Sequence, residues 1–113
     1  MNGNRWKRSL TTVYNIGYHL IWCPKYRRKV LVGEEAERLK ELLLQKAREI
    51  GVEIVQVEVM PDHVHLFVEI GLGNGPHFIV QELKSYTSRV LREEFSSLKS
   101  RLLSLWKRSY YSP

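Results

Sequence analysis

Met60-Pro61-Asp62-His63-Val64-His65-Leu66-Phe67-Val68 is the stretch on which the reading of this chain turns. Alternate side chains of a β-strand project to the same face, so His63 and His65 share one face while Val64, Leu66 and Val68 share the other. The apolar trio calls for a core on one side of a sheet and leaves the imidazoles open on the other. Two histidines so placed stand roughly 6–7 Å apart and can converge on one metal ion. Two half-exposed strand histidines with no shared role fit the same short pattern, and the pair alone does not choose between these readings.

Working outward, Val52 to Met60 alternates, with Val55, Val57 and Val59 on one face, and Pro61-Asp62 makes a tight connection into the histidine strand. Before it, Glu34 to Ile50 carries Leu39, Leu42, Leu43, Ala47 and Ile50 at helical spacing. Acids occupy the first turn of that helix, and Gly51 follows its end. Earlier still, Val13 to Cys23 alternates with Tyr14, Ile16, Tyr18, Leu20 and Trp22 on one face and His19 on the other, and it ends at Pro24. On the far side, Gly71 to Gly75 is a flexible loop and Pro76 suits the first position of a helix. That helix runs to about Phe95, with a buried stripe of Ile79, Leu83, Tyr86, Val90 and Leu91. Ser96 to Ser104 is expected to be a basic connection, and Leu105 to Tyr111 a last short strand.

The order β-α-β-β-α-β predicts an α+β, ferredoxin-like domain spanning residues 1–113, with two helices on one face of a four-stranded antiparallel sheet. Its first and third strands are central neighbours, which puts His19 on the open face beside His63 and His65. RNA-recognition domains share this topology, but they carry stacking aromatics where this chain has its histidine pair; on that face of the third strand Phe67 is the only aromatic.

Composition narrows the class of partner. No run of about 20 apolar residues exists, so no membrane-spanning helix is expected, and the polar, basic start does not resemble a signal peptide. One cysteine, Cys23, excludes an intrachain disulfide and suits a reducing cytoplasm. The formal net charge is +6, unevenly spread: residues 34–58 hold seven acids and four bases, the rest of the chain fourteen bases and five acids. An acidic helix beside concentrated basic segments favours a polyanion, most often nucleic acid, over an unoccupied basic surface. Lys25, Tyr26, Arg27, Arg28 and Lys29 place four cations and an aromatic on one loop. That suits the phosphates of a single strand or hairpin, with base stacking on Tyr26, against the plainer reading of a solvated loop. Lys84, Arg89 and Arg92 on the second helix are further candidates or simply its wet face. His77 at the start of that helix reads as a surface residue.

His19 to Arg28, Met60 to Leu66, Leu83 to Ser88 and Leu105 to Tyr111 together resemble the single-tyrosine transposases of small insertion sequences, within the His-hydrophobe-His endonuclease superfamily. The four blocks come in the right order and cover nearly the whole chain. The resemblance implies a dimeric enzyme that cuts and rejoins single-stranded DNA at hairpins near the ends of a mobile element. It implies that His63 and His65 ligate Mg²⁺ or Mn²⁺; His19, from its place on the open face, is a candidate to support that pair from behind, or a strand histidine satisfied by a neighbour. It also implies a 5′-phosphotyrosine intermediate, which conserves bond energy for rejoining. The family's nucleophilic tyrosine lies on a helix after the last strand, and this chain stops at Ser112-Pro113 before any such helix. The expectation is therefore a chain truncated at its C-terminal side. Tyr110 and Tyr111 are the nearest substitutes by position, although alternation would bury one and expose the other. Two other readings stand beside this one: a remnant that binds hairpins without cutting, and a histidine-nucleophile nucleotide hydrolase. The latter needs a third histidine where Phe67 stands.

Overall fold

The computed structural model describes residues 16–71, 75–101 and 105–112. Three strands form one antiparallel sheet: β1 (Ile16–Trp22), β2 (Glu53–Met60) and β3 (His63–Ile70), in the spatial order β1-β3-β2. Two long helices, α1 (Gly33–Glu49) and α2 (Pro76–Glu94), pack on each other, α1 against β2 and α2 against β1. A short helix α3 follows at Ser96–Arg101. The fold is α+β, as expected. Among the described residues no helix is long and apolar enough to cross a membrane.

Strict alternation in β3 separates the two faces. Val64, Leu66, Val68 and Ile70 are buried, while His63, His65 and Phe67 are half-buried on the opposite side. Leu20 and Trp22 of β1 join the covered face, together with Leu39, Leu42, Leu43 and Ala47 from α1 and Ile79, Val80, Leu83 and Leu91 from α2. Each such side chain contributes roughly 1.5–3 kcal/mol by leaving water, so this one cluster dominates the stability of the fold. Gly51, at φ +77°, closes α1: its N–H donates to Arg48 O at 3.3 Å and the Val52 N–H donates to Ala47 O at 2.8 Å. These bonds satisfy carbonyls that the helix end leaves open, in a conformation that glycine adopts without penalty.

Three expectations change. Val55 is exposed rather than aligned with Val57 and Val59. A β-bulge between Ile54 and Gln56 reverses the phase of β2, so Ile54 opposes Val68 while Val57 opposes Leu66. The expected connection after Phe95 is in part the helix α3, which buries Leu98 in the core. In place of the expected fourth strand the segment 105–112 makes two isolated bridges, Tyr111 with Ile21 of β1 and Trp106 with Pro24 just beyond it. Three residue steps from Ile21 to Pro24 face five from Trp106 to Tyr111, so the two bridges do not share a register and no continuous ladder forms. The N-terminal part of the first expected strand, including Tyr14, lies outside the described residues.

Candidate functional site

The open face of the sheet carries a row of rings. Phe67 lies over Gly17, where a Cβ would come within 2.7 Å of the ring. His19 stacks on Phe67 with centroids 4.7 Å apart and on His65 at 5.3 Å. His19 Nδ1 and His65 Nε2 are 3.2 Å apart, a hydrogen bond whose donor depends on the tautomers. The antiparallel pairing of β1 with β3 brings these residues together, as the sequence predicts.

Each histidine of the pair also meets a carboxylate through Nδ1. His63 Nδ1 donates to Asp62 Oδ1 at 2.9 Å, and His65 Nδ1 lies 3.5 Å from Glu58 Oε1. The two-residue turn at Pro61-Asp62 sets the hairpin register that places Glu58 opposite His65. Asp62 also accepts from Arg27 Nη2 at 3.3 Å. The His63 bond and the Arg27 charge hold the Asp62 carboxyl below the usual carboxylate range. Neither Asp62 nor Glu58 has a role at the site in the sequence reading. Asp62 passed as a turn residue, and the hairpin register that aligns Glu58 was available from the turn length.

A cleft of about 470 Å³ opens beside the pair, lined by His63, His65, Arg27, Lys107, Tyr110 and Tyr111 among others. Tyr111 bridges Ile21, which itself opposes His65, so Tyr111 and His65 occupy one cross-strand row. Two strand spacings separate their backbones by about 10 Å. Tyr111 is exposed, whereas Tyr110 is half-buried and packs near His77, ring centroids 6.2 Å apart. Neither tyrosine is buried as strand alternation would have one of them, and both line the cleft.

The basic loop turns sharply. Tyr26 and Arg27 have φ of 63° and 52°, left-handed values that residues with a Cβ seldom adopt. The Tyr26 ring is 72% exposed and lies between Lys25 Nζ at 5.7 Å and the Arg28 guanidinium at 6.0 Å. Arg28 and Lys29 point into solvent. On α2, Lys84 is half-buried and donates to the backbone carbonyls of Lys107 at 2.5 Å and Ser109 at 3.4 Å, bracing the C-terminal segment. Arg89 is exposed, stacks on Tyr86 at 5.6 Å and lines a separate groove with Arg92. It does not share the histidine cleft.

The family model described as "Transposase IS200 like" matches residues 12–113. The chain belongs to the IS200-like transposase family. It is 42% identical over 106 residues to the ISDra2 transposase TnpA of Deinococcus radiodurans, covering 92% of this chain and 76% of that protein. With the transposase for insertion sequence element IS200 of Salmonella typhimurium it shares 31% identity over 102 residues, 88% of this chain and 67% of the relative. A crystal structure from Deinococcus radiodurans R1, assigned as a transposase, superposes with a TM-score of 0.83 at 39% identity, covering 88% of this chain and 78% of that one. A REP-associated tyrosine transposase bound to a REP hairpin shares the fold, with a TM-score of 0.65 at 15% identity over 86% of this chain and 54% of that chain.

Proposed function

We propose that this IS200-like transposase binds single-stranded DNA hairpins and cuts and rejoins DNA at the cleft beside β3, with Mg²⁺ or Mn²⁺ held by His63 and His65. The observation that carries the reading is the joint exposure of both imidazoles to one cleft with Arg27, Lys107 and Tyr111. The hairpin-bound neighbour of the same fold supports the class of DNA.

The donor set fits an ion that the protein holds only in part. Among the described residues no group of three or more His, Cys, Asp and Glu side chains is arranged to hold an ion. Two imidazoles then supply two ligands, and phosphate and water oxygens complete the shell, which suits Mn²⁺ better than Mg²⁺. When bound, the ion polarises the scissile phosphate and offsets its developing charge. Lys25, Arg27, Arg28 and Lys29 neutralise neighbouring phosphates, and the exposed Tyr26 ring stacks on an unpaired base. Lys84 and Arg89 extend the basic surface along α2, and His19 supports His65 from β1.

In the reaction the family resemblance implies, a tyrosine Oη attacks phosphorus and the P–O3′ bond breaks. The tyrosine proton ends on the departing 3′ oxygen, leaving a 5′-phosphotyrosine and a free 3′-OH. Attack by another 3′-OH reverses the step and reseals DNA. Tyr110 and Tyr111 both line the cleft with the pair; neither is assigned as nucleophile. The two bridges of residues 106 and 111 are read as the fourth strand of a ferredoxin-like sheet, and the working unit as a homodimer.

The test is a covalent-adduct assay with labelled hairpin DNA and Mn²⁺ or Mg²⁺. A metal-dependent adduct, mapped to a tyrosine and lost in His63→Ala/His65→Ala while hairpin binding persists, supports the reading. Hairpin binding without any adduct makes the chain a non-cutting binder. Loss of binding in the folded double variant would make the pair a DNA contact instead.

A further inference from the structure

The carboxylate of Asp62 is divided between two partners. Oδ1 lies 2.9 Å from His63 Nδ1, and Oδ2 lies 3.3 Å from Arg27 Nη2. An ionised carboxylate has no proton to give, so His63 Nδ1 is the donor and the lone pair of the neutral ring resides on Nε2. Which nitrogen of a histidine remains free to ligate is set by the bond that the other one makes.

We infer that Asp62, braced by Arg27, is a positioning residue for His63: it fixes the tautomer and the ring plane so that Nε2 offers its lone pair to a cation in the cleft. The inference rests on the metal role proposed above for His63 and His65.

The two histidines are not equivalent in this arrangement. Glu58 stands 3.5 Å from His65 Nδ1, a looser contact than the one Asp62 makes with His63. His65 Nε2 is already engaged with His19 Nδ1 at 3.2 Å. His63 is thus set in advance as a ligand, whereas His65 must exchange His19 for the ion. The backbone supports this division of labour. Left-handed φ values at Tyr26 and Arg27 turn the chain back after Pro24. The Arg27 guanidinium then meets Asp62, while Arg28 and Lys29 remain exposed. Arg27 keeps an exposed side and can still touch phosphate, but its carboxylate bond gives it a second task that the neighbouring cations lack. Carboxylates behind ligating histidines commonly change metal affinity by about 10–100-fold when removed.

The experiment uses the full chain and two readouts. Nitrogen-15 NMR of the imidazoles reports the His63 tautomer without metal or DNA, and titration with Mn²⁺, followed by electron paramagnetic resonance, reports affinity. In the wild type, His63 should carry its proton on Nδ1. Asp62→Ala should give mixed tautomers and weaken Mn²⁺ binding by about 10–100-fold. Asp62→Asn keeps an acceptor oxygen but not the charge, so it should retain the tautomer with an intermediate loss; it also serves should the alanine variant fail to fold. Arg27→Gln, which removes the cation beside Asp62 Oδ2, should reproduce part of the Mn²⁺ defect. An unchanged tautomer together with unchanged Mn²⁺ affinity in both Asp62 variants overturns the inference. A wild type with no Mn²⁺ affinity overturns the metal reading instead, and the tautomer comparison then decides the orienting role of Asp62 by itself.

Discussion

Replacing Thr87 by Val should destabilise the protein through one hydrogen bond that ties the C-terminal segment to α2. Thr87 is fully buried, donating through Oγ1 to Leu83 O at 2.7 Å and accepting from Trp106 Nε1 at 3.0 Å. Valine fills the same space, so the cost is electrostatic: the Leu83 carbonyl keeps its helical partner, but the buried indole N–H loses its acceptor. Leaving such a donor unpaired costs about 1–3 kcal/mol. At about 4 °C per kcal/mol for a chain of this size, Tm should fall by roughly 4–12 °C. Trp106→Phe removes the donor and trims the edge-to-face contact with Trp22, whose rings meet at 89° with centroids 5.9 Å apart. In Thr87→Val/Trp106→Phe the indole N–H that would lose its acceptor is itself removed, so the double variant should be less destabilised than the sum of the singles by about 1 kcal/mol or more. Urea unfolding with a common m-value supplies the four stabilities. Additivity within about 0.5 kcal/mol would refute the reasoning, because the bond would then contribute nothing specific.

Three further outcomes follow from the same structure. Lys25→Gln/Arg28→Gln should flatten the plot of log affinity for hairpin DNA against log salt concentration by about 0.7 for each lost single-strand phosphate contact; an unchanged slope removes the loop from the interface. Gly51→Ala forces a Cβ into φ +77° and should cost about 1–2 kcal/mol in urea unfolding, while a neutral result would mean that the α1 terminus relaxes freely. Arg38 pairs in a bidentate manner with Glu94, both bonds 2.9 Å, and holds the Glu94 carboxyl below its ordinary range. Glu94 therefore stabilises the fold above the ordinary glutamate range and loses that contribution as pH falls through its depressed value. Arg38→Gln should shrink the fall in stability between neutral and acid pH, and an identical acid limb would show that the pair is energetically silent, as many exposed pairs are.

Much of the sheet was legible because burial and alternation agree. In β3 every second residue from Val64 to Ile70 is buried without exception, and in β1 the inward phase of Leu20 and Trp22 follows from the same rule. The rule failed at Val55, where one extra residue in β2 inverts the phase, and periodicity carries no signal for such a bulge. It failed again over 105–111, where the bridges to Ile21 and Pro24 differ in register by two residues. Helix α3 escaped because six residues are too short to display a stripe, so Leu98 stood alone in the sequence as an unremarkable apolar residue.

The site was half legible for a related reason. His19, His63 and His65 share a face by strand alternation, a local rule, and by the central pairing that the order of elements implies. Asp62 and Arg27 meet only because a left-handed turn folds the basic loop back across the hairpin, and no pattern in the sequence announces that turn. The blocks that carry the family resemblance turn out to be joined by side-chain contacts across the molecule. Arg27 of the first reaches Asp62 of the second, Thr87 of the third accepts from Trp106 of the fourth, and Trp22 of the first packs against that same indole. Lys84 of the third block then holds the carbonyls of Lys107 and Ser109, which form the cleft wall opposite the histidines. Each block thus meets another through a specific polar or ring contact, and the cleft exists where those contacts close. A substitution at Lys84, outside the cleft lining, should therefore disturb the cleft wall through the carbonyls of Lys107 and Ser109.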